Sequence, residues 1–115
     1  MRTVSIKLEV TLDDQNIPQQ IDWSSDDPPS KGTPAEAKAF FLSIFDKKQL
    51  ETLKIDLWNT DFEVGEMNRM TYYTLKGLAD TFYKATNNAD LANHIARFAQ
   101  FMGEEMGILQ KGQNS

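Results

Sequence analysis

The stretch Thr52-Leu53-Lys54-Ile55-Asp56-Leu57-Trp58-Asn59-Thr60-Asp61-Phe62-Glu63-Val64-Gly65-Glu66-Met67 decides the fold. Leu53, Ile55 and Leu57 alternate with Lys54, Asp56 and Trp58, the period-two pattern of a half-buried strand. Asp61 then offers a capping oxygen, and Glu63 and Glu66 place negative charge near the positive end of a following helix. A strand that feeds a helix at this point excludes an all-helical bundle. It also turns Trp58 away from the apolar side of its own strand.

Working outward toward the N-terminus, Val4, Ile6, Leu8, Val10 and Leu12 line one side of a long first strand, and Thr3, Ser5, Lys7, Glu9 and Thr11 line the other. Asp13-Asp14-Gln15-Asn16 is turn chemistry. Ile17, Gln19, Ile21 and Trp23 continue as a second strand, with Pro18 near its start, where a missing N–H is tolerated. The pair reads as an antiparallel hairpin. Residues 24–32 form a polar loop, because two adjacent prolines and a glycine forbid regular structure. Thr33-Pro34-Ala35-Glu36 has the form of a capping box with proline at the first helical position. It predicts a first helix running to about Lys48, with Ala37, Phe40, Phe41, Ile44 and Phe45 as its apolar face.

Toward the C-terminus, Val64, Met67, Thr71, Leu75, Leu78, Phe82 and Ala85 recur at steps of three and four, which predicts a helix over about 63–85. Asn87-Asn88-Ala89-Asp90 closes it and caps a third helix lined by Leu91, Ile95, Phe98, Met102 and Met106. Gly103 and Gly107 are expected to loosen the end of that helix, and 110–115 to form a flexible tail. The expected fold is a single α+β domain over 1–109. It has a small antiparallel or mixed three-stranded sheet in the order ββαβαα, with three helices packed on one face. The sheet's other face would carry Lys7, Glu9, Thr11, Gln20, Asp22, Lys54, Asp56 and Trp58.

Composition bounds the function. With 115 residues and 40% hydrophobic content the chain suits one domain. Seventeen acidic against twelve basic side chains give a net charge of −5. No basic stripe is present for a nucleic acid, and an anionic membrane surface would be repelled. Cysteine is absent, which removes disulfides, thiol nucleophiles and Cys-ligated metals. The N-terminus reads as a strand rather than a signal peptide, and no run approaches the roughly 18 apolar residues of a spanning helix. A cytoplasmic location is expected.

Catalytic and metal chemistry have little to draw on. His94 is the single histidine, and Asp90 four residues earlier makes an ordinary surface pair with it; a triad needs three convergent roles. Asp22, Asp26 and Asp27 lack the spacing of a calcium loop. No glycine-rich phosphate cradle forms. No cofactor and no metal is expected. Gly77 in mid-helix costs about 1 kcal/mol against alanine, and close approach to Ala92, Ala96 and Ala99 is the expected compensation. Apolar residues off the main stripes remain: Trp58, Met70, Tyr72 and Tyr73, all expected to face outward. Methionine and aromatic side chains outside a core are typical of protein–protein contacts, so these four are the candidate partner-binding residues.

Thr52-Leu53-Lys54-Ile55-Asp56-Leu57-Trp58, followed by Asp61, Val64 and Glu66-Met67, resembles the gliding-motility protein GldC family of Bacteroidetes-type bacteria. Ile21-Asp22-Trp23, Ala79-Asp80-Thr81 and Ala85-Thr86 extend the resemblance in order over nearly the whole chain. Asn59-Thr60 and Phe62 depart from it at the corner. The resemblance implies a small non-enzymatic protein that assists the gliding-motility apparatus through a protein partner. Two rival readings stand beside it: a small-ligand module with a pocket lined by Trp23, Phe41 and Phe82, and an enzyme using Asp56, Asp80 and His94. An unpaired strand edge or the polar sheet face offers a route to a homodimer.

Overall fold

The computed structural model describes residues 1–28 and 32–110, and the chain divides into two units, Met1–Phe62 and Glu63–Ser115. The element order is β1 (Ile6–Leu12), β2 (Pro18–Ser25), β3 (Ala35–Ala37), β4 (Ala39–Phe45), β5 (Thr52–Trp58), α1 (Val64–Thr86) and α2 (Ala89–Glu105). The fold is α+β, with five strands and two helices among the described residues. The expected ββαβαα order with three helices is therefore corrected. The segment 33–48, expected as the first helix, is β3, β4 and the turn after them. Residues 29–31 of the expected polar loop and 111–115 of the expected tail lie outside the described residues.

The misread segment has a physical reason. Phe40, Phe41, Ile44 and Phe45 satisfy the helical steps of one and four, but Phe40, Leu42 and Ile44 also alternate. Aromatic and β-branched residues favour the pleated arrangement when a partner strand is available. That partner is β5. The two strands pair antiparallel through seven residues, from Ala39 opposite Trp58 to Phe45 opposite Thr52. One side of this hairpin is wholly apolar, with Phe40, Leu42 and Ile44 opposite Leu57, Ile55 and Leu53. The other side sets Phe41 opposite Asp56 and Ser43 opposite Lys54.

The first unit's other sheet has the order β1-β2-β3, antiparallel throughout. Asp13 fixes its first turn: its Oδ1 accepts from the N–H groups of Gln15 (2.8 Å) and Ile17 (3.0 Å). In the centre, Ile21 lies between Val10 on β1 and Ala37 on β3 and is fully sealed from solvent.

The second unit is a helical hairpin. Glu63 caps α1 through a reciprocal capping box with Glu66, whose carboxylate accepts the Glu63 N–H at 3.0 Å. Asp61, expected in that role, instead donates its backbone N–H to Asn59. Asn87 turns the chain at φ 57°, and the Asn88 side chain accepts the Leu91 N–H at 3.1 Å to start α2. The seam between the helices is made of Tyr72 and Ala79 on α1 and Ala92, Ala99 and Gly103 on α2, all buried. Gly77 is not part of it: a Cβ at Gly77 would meet nothing within 4 Å, which overturns the expected close approach there. Gly103 is the glycine the packing requires, since a Cβ there would stand 2.8 Å from the Tyr72 ring.

The end of α2 is tightened, not loosened. Ile108 N–H bonds back to Gly103 carbonyl (2.9 Å) and Gly107 N–H to Glu104 carbonyl (3.2 Å), with Gly107 at φ 76°. This is the paired-bond helix stop in which glycine takes the left-handed position. Among the described residues, no helix is long and apolar enough to cross a membrane.

Candidate functional site at the Trp58 corner

β5 ends at Trp58, and the chain leaves the sheet through a corner built by Asn59. The Asn59 side chain is buried. Its backbone N–H donates to the Lys38 carbonyl at 2.8 Å, its Oδ1 accepts the Asp61 N–H at 3.1 Å, and its carbonyl accepts the Phe62 N–H at 3.3 Å. A side-chain amide two residues ahead of the N–H it accepts mimics a backbone turn. The corner is therefore held by hydrogen bonds and leaves its neighbours free for other contacts.

Beside the corner lies a cleft of about 290 Å³. Ile17 and Pro18 come to it from the start of β2, Asp56, Leu57 and Trp58 from β5, and Thr60 from the corner. Trp58 is 51% exposed. Asp56 is half-buried. One of its carboxylate oxygens sits 3.2 Å from Lys54 Nζ, while Oδ1 is buried with no hydrogen-bond partner among the described residues. Lys54 in turn lies 5.8 Å from the Phe41 ring. The cleft offers an indole, two apolar walls, one hydroxyl and one carboxylate. That set suits recognition of an apolar or mixed side chain.

The other candidate residues are on α1, in the second unit. Tyr73 is 52% exposed, with the Arg69 guanidinium 5.8 Å from its ring centroid. Met70 is half-buried. Tyr72 departs from its expected outward position: it is 3% exposed, its ring packed against Gly103. It lies seven residues before Ala79, on the same line of the helix, and the alanine's small side chain hid that line in the sequence. Tyr72 therefore gives support to Tyr73, edge to face at 4.9 Å, and no contact surface of its own.

His94 and Asp80 are exposed on the helices, and Asp80 borders a shallow hollow with Tyr83, Ala92 and Asn93. Among the described residues there is no group of three or more side chains able to hold a metal ion. Trp23, Phe41 and Phe82, expected to line a ligand pocket, line neither the Trp58 cleft nor the two hollows on the helix pair. Sequence reasoning missed Asn59, Ile17 and Pro18. The signal for Asn59 was present in its spacing to Asp61; nothing local pointed to the other two.

A family model described as gliding motility-associated protein GldC-like matches residues 18–108, which takes in β2 through α2 and the whole Trp58 corner. No curated protein and no solved structure matches the chain.

Proposed function

Since the chain belongs to the GldC-like family of gliding motility-associated proteins, we propose that it serves the gliding-motility apparatus as a non-enzymatic accessory protein in the cytoplasm. In this reading it acts by holding a protein partner. Trp58 and its cleft form the primary contact, and Met70 and Tyr73 form a second patch. The observation that carries the reading is the half-exposed indole at the end of a paired strand, beside an apolar cleft. Aromatic side chains so placed supply large contact area at low entropic cost.

The test is affinity capture from a gliding host with the wild-type chain, Trp58→Ala and a control change in the β4–β5 turn, Lys48→Ala, each shown folded by circular dichroism. A motility component lost with Trp58→Ala and kept with Lys48→Ala supports the proposal. Recovery unchanged across all three overturns it, as does substrate turnover by the purified protein.

A second reading is favoured by the Trp58 indole. The cleft lies near the lower limit of small-ligand sites, roughly 300 Å³, and the face of a half-exposed indole attracts a cationic small molecule. Calorimetry with polyamines and basic amino acids separates this from protein binding.

A further inference from the structure

Among the described residues β1 is an edge strand, with β2 on one side and no strand on the other. Ser5, just ahead of it, shows which way the backbone turns. Its carbonyl accepts the Asp26 N–H at 3.1 Å and its own N–H donates to the Asp26 carboxylate at 2.9 Å, both toward the end of β2. Along an antiparallel strand, successive residues turn their N–H and C=O groups to alternate sides. The register runs unbroken from Ile6 opposite Ser25 to Thr11 opposite Gln20. Lys7, Glu9 and Thr11 therefore bond to β2, and Ile6, Leu8 and Val10 aim their N–H and C=O groups at the open edge. Such a row is a template for another strand.

We propose that the strand added there is β1 of a second copy, antiparallel, about a two-fold axis at Leu8. Charge selects both occupant and register. A ladder built on the outward groups sets even-numbered residues opposite even-numbered ones. With Leu8 opposite Leu8, each Lys7 stands opposite Glu9 of the other copy, and each Ile6 opposite Val10. The next allowed register on one side sets Lys7 opposite Lys7, and on the other Glu9 opposite Glu9. Unlike charges directly opposite stabilise a strand pair and like charges destabilise it. β1 is thus its own complement in one register, which is what a two-fold axis requires.

The β4–β5 hairpin does not fit the same edge. The Asn59 N–H donates to Lys38 and the Asp46 N–H to Glu51, so by the same alternation β5 turns the groups of Lys54 and Asp56 outward, and β4 those of Phe41 and Ser43. Pairing β1 with β5 would set Leu8 opposite a charged residue. Pairing it with β4 would set Lys7 and Glu9 opposite apolar ones. Glu9 supplies an independent reason for the second copy. It stands opposite Asp22 on β2, a like-charge neighbour that weakens the isolated sheet. Its own Lys7 lies 3.8 Å away, and both side chains are exposed. The pairing brings a second lysine to the open side of each Glu9, and it covers Ile6, which is exposed in the single chain.

The experiment is light scattering on the full chain across concentrations, for wild type, Lys7→Glu, Glu9→Lys, the double variant carrying both changes, and an equal mixture of the two single variants. The expected mass is twice the 13.1 kDa of one chain for wild type, for the double variant and for the mixture, where unlike charges again stand opposite. Each single variant alone should show the mass of one chain. Amide exchange followed by magnetic resonance reads the register: Ile6, Leu8 and Val10 should exchange faster in Lys7→Glu than in wild type, with Glu9 and Thr11 unchanged. A wild-type chain of single mass at every concentration overturns the proposal. So do single variants that pair as wild type does, a mixture that stays at single mass, or wild-type exchange at Ile6, Leu8 and Val10 no slower than in Lys7→Glu. Should a single variant fail to fold, the double variant decides, and a single mass there overturns the proposal.

Discussion

The β4–β5 hairpin and the α1–α2 hairpin are held together by opposite means. In the β4–β5 pair, large side chains face one another across the strands, Phe40 against Leu57 and Leu42 against Ile55. In the α1–α2 pair the facing residues are small but for one ring: Ala79 on one helix meets Ala92 and Ala99 on the other, and Tyr72 is seated over Gly103. Strands lie about 4.8 Å apart and project side chains to either side of the sheet, so bulk adds contact. Helices approach to 8–10 Å across their side chains, so bulk at the seam pushes them apart. Removal of atoms should damage the sheets, and addition of atoms should damage the helix pair.

The largest expected effect comes from removal in the β1-β2-β3 sheet. Ile21 is fully buried between Val10 and Ala37. Ile21→Ala should cost about 3 kcal/mol, within the range for a large-to-alanine change at a sealed position. Both tryptophans, Trp23 and Trp58, lie in the first unit, so urea unfolding followed by tryptophan fluorescence reads this loss. A shift worth less than 1 kcal/mol would break the first half of the comparison.

Addition at the helix seam should come next. In Gly103→Ala the new methyl would stand 2.8 Å from Tyr72, a ring fixed by its own packing, and 2.8 Å from the end of Leu109. Leu109 can turn aside; the ring cannot without moving α1. Overpacking of this kind costs about 2 kcal/mol even after alanine's better helix propensity is counted. Circular dichroism at 222 nm through the unfolding transition measures it. An unchanged or raised midpoint would show that the seam has slack.

A third change probes the corner, where neither bulk nor its absence governs. Asn59→Asp keeps the oxygen that accepts the Asp61 N–H, whereas Asn59→Ala removes it. Loss of a part-buried hydrogen bond costs about 1 kcal/mol. Asn59→Ala should therefore lower the fluorescence-detected midpoint, and Asn59→Asp should retain more of the turn's hydrogen bonding. Equal loss in both variants would mean that the backbone bonds from Asn59 to Lys38 and Phe62 suffice alone.

The same contrast explains what the sequence made legible. β1, β2 and β5 announce themselves because alternation is local: each strand's pattern is complete within seven or eight residues. β4 does not, because its own residues fit both a helix and a strand, and the choice is made by β5, seven to nineteen positions away along the register. The strong helix-start pattern at Thr33–Glu36 was a local preference overridden by that pairing. α1 and α2 were legible from their large-residue stripes. Their mutual seam was not, because alanine carries no periodic hydrophobic signal strong enough to compete with leucine and phenylalanine. Trp58 was legible as outward-facing because a strand fixes side-chain direction by parity. Tyr72 was not, because on a helix its direction depends on where the neighbouring helix lies.

Gly77 supplies the smallest expected effect and the sharpest control, since it differs from Gly103 only in what surrounds it. Both are helical glycines, and the substitution is the same single methyl. At Gly77 that methyl would meet nothing within 4 Å, so only the backbone consequences remain. Alanine restricts the unfolded chain and favours the helical conformation, so Gly77→Ala should stabilise the helix by about 0.7 kcal/mol. The same chemistry thus raises the midpoint at 222 nm at position 77 and lowers it at 103. A loss at 77 would mean that something packs on this stretch of α1 in the assembled protein.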